Sequence, residues 1–201
     1  MSTEWDRRYD RPDYLFGETP NAFLAGEVER VRLHRRALAI ADGEGRNGVW
    51  LAEQGLDVVS IDASAVALQK ARRLAAHRGV TISTELVDLE RFDWPEAEFD
   101  LVVAIFIQFA GPAFRRPLFA GMTRALAPGG TLLLHGYRPE QLGYGTGGPP
   151  FLENLYTEPM LRSELPGLEI LSLTSHDSVI EEGTGHSGLS ALIDLVARKP
   201  D

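Results

Sequence analysis

Short apolar segments alternate with amphipathic ones through the first two thirds of the chain. The apolar segments predict β-strands at residues 38–41, 57–62, 81–88, 99–106 and 131–137. Between them, apolar positions at helical spacing predict helices at residues 48–55, 64–79 and 112–130. The run at 99–106 is apolar apart from Asp100, which is typical of a parallel strand covered on both faces. This alternation predicts an α/β fold built on a parallel sheet.

The two ends of the chain depart from this alternation. Residues 138–150 are rich in Gly and Pro, and a short helix is predicted after them at 156–165. Segments 167–177 and 187–199 predict two strands joined by a polar turn, which gives an antiparallel hairpin at the sheet edge. The N-terminus carries aromatic residues among charges and leads into a helical pattern at 28–38. The complete prediction is a Rossmann-like three-layer sandwich with a seven-stranded, mostly parallel sheet and a C-terminal antiparallel hairpin.

Composition narrows the classes of partner and compartment. The chain has 201 residues, 44% of them hydrophobic, and a net charge of −9, which disfavours nucleic acid and anionic membranes as partners. The absence of cysteine excludes disulfides, thiolate metal sites and a cysteine nucleophile, and no metal site is predicted. The N-terminus is charged, and the longest apolar run, 101–107, is too short to span a membrane. We therefore expect one soluble, cytoplasmic domain, whose oligomeric state the sequence does not define.

A glycine-rich turn follows the first predicted strand. Gly43, Gly45 and Gly48 satisfy the pattern G-x-G-x-x-G, and Asp62 ends the next strand nineteen residues after Gly43. Glycines let a backbone approach a ligand closely, and the following helix offers unpaired N–H groups. A carboxylate at Asp62 can accept hydrogen bonds from both hydroxyls of a ribose. This pattern predicts an adenosine-containing cofactor, and by itself fits both NAD and S-adenosylmethionine.

A second acidic residue discriminates between these cofactors. Asp88 ends the third predicted strand, where it can accept a hydrogen bond from the amine of adenine while Leu89 donates its backbone N–H. With the fourth and fifth strands and the terminal hairpin, this layout resembles the class I S-adenosylmethionine-dependent methyltransferases over roughly residues 5–199. The GEGRN turn, the aromatic N-terminus and the LGYGTGGPP loop look most like bacterial small-molecule methyltransferases of the tellurite-resistance and thiopurine type.

The resemblance implies a set of cofactor-binding residues. They are Ala41, Asp42, Gly43, Glu44 and Gly45 in the cofactor loop, Asp62 and Ala63 at the ribose, Asp88 and Leu89 at the adenine, and Ala104 at the methionine end. Trp5 and Tyr9 are either an aromatic cover over the cofactor or ordinary core residues. The implied segments are an N-terminal lid or entry helix (1–36), a cofactor-binding core (37–137), a substrate-side loop and helix (138–166) and the hairpin (167–199).

This chain departs from the family pattern at two positions of the first strand. Ala39 and Ala41 stand where the family usually has an acid and the first glycine, while Asp42 adds a carboxylate before Gly43. We infer that Asp42 contacts the amino-acid moiety of the cofactor; the alternative is that it caps the following helix.

The catalytic group is not defined by the sequence. Methyl transfer from a sulfonium is an in-line displacement, so alignment provides much of the rate, and a base is needed only if the acceptor must lose a proton. The Asn or Asp before Pro-Pro-Tyr that marks amide and nucleobase methylation is missing from AIFIQFAGP. Side chains predicted to face the acceptor are Gln108, His135, Tyr137, Tyr144 and His186, with a purely structural role as the alternative for both histidines.

Three functions therefore remain open. The first is methyl transfer from S-adenosylmethionine to a small molecule, such as a thiol, a selenium or tellurium oxyanion, a halide or a small carboxylate. The second is an NAD(P)-dependent oxidoreductase using the same glycine-rich turn, which leaves Asp88 and the hairpin unexplained. The third is a non-catalytic module that binds the cofactor as a sensor or partner protein.

Overall fold

The computed structural model describes residues 4–201, and its centre is a seven-stranded sheet in the order β3-β2-β1-β4-β5-β7-β6. The strands are β1 Arg36–Ile40, β2 Asp57–Asp62, β3 Ser83–Leu86, β4 Phe99–Ile105, β5 Leu126–Tyr137, β6 Glu169–Glu182 and β7 His186–Arg198. The first five strands of the chain are parallel, and β7 is antiparallel to both β5 and β6. The predicted α/β fold, its mostly parallel sheet and its terminal antiparallel hairpin are confirmed.

Helices cover both faces of this sheet. They are α1 Glu4–Tyr9, α2 Ala22–Gly26, α3 Val28–Val31, α4 Arg46–Glu53, α5 Ala65–His77, α6 Pro112–Ala125 and α7 Glu158–Glu164. Alternate residues of β1 point to opposite faces: Ala37 packs with α2, α4 and α5, whereas Leu38 belongs to the core formed with α6 and α7. The result is three layers, as predicted. None of the helices within residues 4–201 has the length and apolarity needed to cross a bilayer.

The predicted helix at 28–38 is wrong over most of its length. Helix α3 ends at Val31, and the chain enters β1 at Arg36. The carboxylate of Asp100 accepts hydrogen bonds from the backbone N–H groups of Arg35 (2.9 Å) and Arg36 (2.8 Å), which fixes the start of the strand. Pairing of β1 with both β2 and β4 satisfies the backbone of this segment, so tertiary contacts override the local helical pattern.

Two other element boundaries differ from the predictions. Strand β3 covers only four residues, and residues 126–130, assigned to the end of a helix from the sequence, begin β5 instead. Leu126 pairs with Phe99, and Lys199 donates its N–H to the carbonyl of Gly130 at 2.8 Å. The hairpin strands extend further than predicted, because the turn is confined to Gly183–Gly185 and β6 pairs with β7 as far as Glu182 and His186.

The sheet order creates a crevice between β1 and β4. The chain leaves β1 towards β2 and leaves β4 towards β5, so the two connections diverge at the carboxyl ends of these neighbouring strands. Ligands of open α/β sheets bind at this kind of switch point. Ala41, after β1, and Phe106, after β4, both have positive φ, 47° and 55°. Such conformations are uncommon for residues with a side chain and concentrate at functional sites.

Candidate functional site

The turn from β1 into α4 is held in a conformation that requires glycine. Gly43 and Gly45 have φ of 60° and 87°. A Cβ on Gly45 would lie 2.6 Å from the Cβ of Ala71, so this glycine also lets the turn pack against α5. A Cβ on Gly43 would lie 2.7 Å from the hydroxyl oxygen of Tyr9. The turn is therefore tight on its inner side and closely covered by the N-terminal segment.

Asp62 ties the end of β2 to this turn. Its carboxylate accepts hydrogen bonds from the backbone N–H groups of Gly43 at 2.9 Å and Ser64 at 2.8 Å, and the residue is only 6% exposed. Burial raises the pKa of Asp62, while the backbone hydrogen bonds act in the opposite direction. Each oxygen can accept more than one hydrogen bond, so the carboxylate can bind a further pair of hydroxyls. Ala63, the next residue, is exposed.

Asp42 binds within the protein through both of its oxygens. Ser60 donates its hydroxyl to Oδ2 at 2.8 Å, and the backbone N–H of Gly48 donates to Oδ1 at 3.1 Å. Because Gly48 lies in the first turn of α4, this is the capping interaction that the sequence left open as an alternative. Burial raises the pKa of Asp42 to about 7. Contact of Asp42 with a cofactor stays a prediction.

Asp88 and Leu89 lie beside Asp62 at the same edge of the sheet. The backbone N–H of Val87 donates to the carbonyl of Asp62 at 3.0 Å, which brings the two strand ends together. The Asp88 side chain is exposed and accepts the backbone N–H of Glu90 at 3.1 Å. Leu89 is buried in the core and also lines a surface groove of about 490 Å³ next to α6.

The N-terminal helix α1 covers the glycine-rich turn. Trp5 and Tyr9 stack with their ring centroids 5.7 Å apart, and Tyr9 is buried over Gly43. Asp6 accepts the hydroxyl of Ser64 at 2.6 Å, so the helix is attached to the residue that caps α5. Burial and the nearby Asp62 carboxylate raise the pKa of Tyr9, which keeps its hydroxyl protonated. The aromatic pair thus lies where a cover over a ligand at Asp62 would have to lie.

Glu44 holds the rest of the N-terminal segment in place. It forms an ion pair with Lys70 and accepts the backbone N–H of Leu15 at 2.7 Å. The ammonium of Lys70 also donates to the carbonyls of Asp13 at 2.6 Å and Arg11 at 3.1 Å. The Glu44 side chain therefore points to this segment, and its predicted contact with a cofactor has no counterpart among these bonds.

Three of the five residues predicted to face the acceptor converge on Phe106. The rings of His135, Tyr137 and His186 have centroids 4.6, 4.6 and 4.3 Å from that of Phe106. Within residues 4–201, no hydrogen-bond partner is present for the buried atoms Nε2 of His135 and Oη of Tyr137, whereas Nδ1 of His186 lies 3.9 Å from the Glu182 carboxylate. Ala104 is fully buried in β4 two residues before Phe106. This cluster combines an apolar surface with polar atoms that are free to bind a ligand.

Gln108 and Tyr144 do not join this cluster through their polar groups. Gln108 exchanges hydrogen bonds with the backbone of Tyr137, at 2.8 and 2.6 Å, and donates to the carbonyl of Asn154. It is a buried structural residue. Tyr144 donates its hydroxyl to Asp177 at 2.8 Å on the exposed face of β6, and that hydrogen bond raises the pKa of Tyr144. Its predicted place facing the acceptor is therefore not supported by its contacts.

Sequence reasoning missed a buried ion pair that connects the two sides of the site. Arg46, the first residue of α4, bonds to Glu182 at 2.6 Å, and both side chains are less than 10% exposed, at 7% and 8%. The other oxygen of Glu182 accepts the side-chain amide of Asn21 at 2.8 Å. Burial alone would raise the pKa of Glu182, but the neighbouring His186 and Arg46 side chains lower it to about 2. In the sequence Glu182 falls within the predicted polar turn of the hairpin, which gives no sign of a buried ion pair.

Comparison with known proteins identifies the class of this fold. Residues 37–130 match a family model described as "Methyltransferase domain". A curated relative, the 2-heptyl-1-hydroxyquinolin-4(1H)-one methyltransferase of Mycobacteroides abscessus, is 27% identical over 126 residues, which cover 62% of this chain and 55% of the relative. The chain spans about half the length of the curated relatives it matches.

Solved structures extend the similarity to almost the whole chain. TehB from Haemophilus influenzae is 17% identical, with a TM-score of 0.72 over 97% of this chain and 65% of that chain. The N-methyltransferase NodS from Bradyrhizobium japonicum WM9 in complex with S-adenosyl-L-homocysteine is 18% identical, with a TM-score of 0.72 over 98% of this chain and 97% of that chain. At this level of identity the similarity concerns the fold.

In residues 4–201, no cluster of three or more His, Asp or Glu residues is arranged to hold a metal ion.

Proposed function

We propose that the chain is a class I S-adenosylmethionine-dependent methyltransferase and that it transfers the methyl group of S-adenosylmethionine to a small-molecule acceptor, because a methyltransferase family model matches residues 37–130. The observation that carries this proposal is the juxtaposition of the Gly43 turn, the buried Asp62 carboxylate and the Asp88 edge beside the crevice between β1 and β4. A turn whose two glycines leave the backbone open, a doubly accepting acid and a polar strand end are the chemistry that an adenosine with a free ribose requires.

The residues of the crevice fit each part of this cofactor. Asp62 receives the ribose hydroxyls on the lone pairs that Gly43 and Ser64 leave free. Asp88 accepts from the adenine amine, and Leu89 donates its backbone N–H to the ring. The methionine end extends along the Ala41–Gly45 turn towards Ala104, below the aromatic pair of α1.

The chain's contribution to the reaction is alignment and electrostatics. The cofactor supplies a methyl group activated by a positively charged sulfonium. The Asp62 carboxylate provides negative charge beside its cationic end, whereas Glu44 is already paired with Lys70 and the pKa of Asp42 is raised to about 7. The Phe106 cluster fixes the acceptor on the opposite side, so that the attacking atom and the methyl carbon are held in line. The N-terminal segment covers the turn, with the buried Tyr9 over Gly43.

We also propose the class of acceptor and the cellular compartment of the reaction. The curated relative is named for a hydroxyquinolinone, which supports a small organic acceptor rather than a nucleic acid. We place the reaction in the cytoplasm, with which the cysteine-free, acidic composition is compatible. The lid (1–36), cofactor core (37–137), substrate-side segment (138–166) and hairpin (167–199) then work as one domain.

A cofactor screen by thermal unfolding tests the proposal. S-adenosylhomocysteine at 100 times its Kd is expected to stabilise the folded protein by about 2.7 kcal/mol, which raises Tm by roughly 5–10 °C. NAD at the same concentration is expected to leave Tm unchanged. Stabilisation by NAD and not by S-adenosylhomocysteine would establish the oxidoreductase instead. Tight cofactor binding with no methyl transfer to any member of a broad acceptor panel would indicate a non-catalytic module.

The adenine assignment predicts a selective effect of Asp88→Asn. The amide replaces one acceptor oxygen by a donor, so binding of S-adenosylhomocysteine is expected to weaken by about 1 kcal/mol, measured by calorimetry. An analogue whose purine lacks the exocyclic amine should lose much less affinity. Glu90→Gln, two residues further along the same exposed loop, is the matched control. Equal losses for both ligands would show that Asp88 does not bind the amine.

A further inference from the structure

His135 and Asp194 form a hydrogen-bonded pair across the sheet. They are register partners on β5 and β7, and Nδ1 of His135 lies 2.5 Å from Oδ1 of Asp194. The other oxygen of Asp194 accepts from Nε2 of His176 at 2.9 Å. A carboxylate can only accept hydrogen bonds, so both imidazoles present an N–H to it. The neutral tautomer of His135 therefore carries its lone pair on Nε2.

That lone pair is buried and has no partner. His135 is 2% exposed, and within residues 4–201 no donor reaches its Nε2. Leaving a buried polar atom unsatisfied is unfavourable, so such an atom points to a ligand group. The ring cannot turn away, because it stacks on Phe23 at 5.7 Å and meets the edge of Phe106 at 4.6 Å. Asp194 and the two aromatic rings fix both its tautomer and its orientation.

The side chains that share the Phe106 cluster with His135 define the kind of molecule that fits. Phe16 and Phe106 lie against the ring of His186 at 4.5 and 4.3 Å, and Tyr137 meets it edge-on at 5.8 Å. These surfaces suit a flat, apolar ring. Burial lowers the pKa of His186, and the nearby Arg46 guanidinium, which is paired with Glu182, acts in the same direction. The other titratable groups around His135 are Asp194, Tyr137, Glu182 and, beyond Asp194, His176.

We infer that His135 is the general base of the methyl transfer, that Asp194 positions it, and that the acceptor is an aromatic molecule methylated on a hydroxyl group. This inference rests on the proposed methyltransferase function. The hydroxyl proton moves to Nε2 of His135, and the oxygen forms a bond to the methyl carbon. The carbon–sulfur bond breaks and its electron pair stays on sulfur, which leaves a neutral thioether and an aryl methyl ether. The imidazolium then returns its proton to water.

The inference narrows the range of acceptors. A halide or a fully ionised oxyanion has no proton to lose and gains nothing from a base. A phenol-like hydroxyl is mostly protonated at neutral pH and gains most. The His135 and Asp194 arrangement is thus specific to an acceptor that must be deprotonated before or during transfer.

Kinetics of His135→Gln on a series of substituted phenols test the base. The variant is expected to lose about 100-fold or more in kcat with little change in KM, and the loss should shrink as the phenol becomes more acidic. Asp194→Asn, which disturbs the tautomer but preserves shape, is expected to show the same trend. His77→Gln, on the exposed end of α5, is the control. Affinity for S-adenosylhomocysteine should be unchanged in all three variants.

A second measurement requires no methyl transfer. 4-Nitrophenol bound to wild-type protein with S-adenosylhomocysteine is expected to show more phenolate absorbance than in solution at the same pH, and His135→Gln should abolish this increase. A variant with wild-type kcat, or one that loses cofactor affinity as much as turnover, overturns the role of His135. Cofactor binding without transfer to any phenol overturns the acceptor class. If S-adenosylhomocysteine does not bind, the proposed function fails, and the absorbance of nitrophenol alone still reports whether His135 accepts the proton.

Discussion

Replacing Glu182 with alanine is expected to lower the free energy of unfolding by about 3–5 kcal/mol, because it leaves the buried guanidinium of Arg46 without its counter-ion. The two side chains meet at 2.6 Å and are both buried. The remaining contact of Arg46, with the carbonyl of Phe16 at 3.3 Å, compensates a cation poorly. Asn21 also loses the acceptor of its side-chain amide. Chemical denaturation followed by circular dichroism measures the difference.

Two further variants test whether the loss of stability comes from the broken ion pair or from removing a side chain at this end of β6. Glu181→Ala removes the same side chain from the neighbouring, exposed residue and is expected to change stability by less than about 0.5 kcal/mol. The double substitution Arg46→Met with Glu182→Leu removes both charges and should recover most of the loss. If Glu182→Ala is as stable as Glu181→Ala, the ion pair contributes nothing to the fold.

The same pair predicts a pH dependence whose sign follows from its pKa. The pKa of Glu182 falls from an ordinary 4.5 to about 2 in the folded protein, so the unfolded chain takes up its proton first. The contribution is therefore complete above pH 4.5 and is lost as the pH falls towards 2. The stability difference between wild type and Glu182→Ala should shrink over this window. A difference that stays constant between pH 6 and 3 would contradict this assignment.

The sequence predicts those parts of the fold that depend on local patterns. Alternation of apolar runs with helical periodicity predicted the strands and the terminal hairpin, since each strand carries its own pattern. It failed at 28–38, where the helix ends at Val31 and the strand predicted from residue 38 already begins at Arg36, because pairing with β2 and β4 overrides the local helical pattern. Residues 126–130 were misassigned for a related reason: Pro128 and Gly129 suggest a helix end, but the backbone there pairs with Phe99 and Lys199.

The candidate site likewise has one part that the sequence predicts and another that only the folded structure brings together. Asp62 and Asp88 were predicted to lie together because both follow neighbouring parallel strands, whose carboxyl ends share one edge of the sheet. The pairs Arg46 with Glu182 and His135 with Asp194 join residues 136 and 59 positions apart, and only the folded sheet brings them together. Asp194 did leave a signal, a lone acid in the apolar strand SALIDLVA. Such a residue in a central strand needs a buried partner, which the sequence alone does not identify.

Replacing Asp62 with alanine is expected to weaken binding of S-adenosylhomocysteine by about 2–3 kcal/mol, roughly 30- to 150-fold in Kd. The carboxylate acts twice: it accepts the ribose hydroxyls in the proposed complex, and it holds the backbone N–H groups of Gly43 and Ser64. Removing it leaves these donors unsatisfied, so the free energy of unfolding should also fall by about 1–3 kcal/mol. Calorimetry on protein shown to be folded by circular dichroism measures the affinity.

The control for this experiment lies on the same strand. Asp57 begins β2, at the opposite end from Asp62, and its side chain is exposed beside Arg36. Asp57→Ala should therefore bind S-adenosylhomocysteine with wild-type affinity. Asp62→Asn keeps one acceptor oxygen and should fall between alanine and wild type. Because a ribose bound through both hydroxyls needs two acceptors, the order wild type, asparagine, alanine is the expected series, and a folded Asp62→Ala with unchanged affinity would remove Asp62 from the cofactor site.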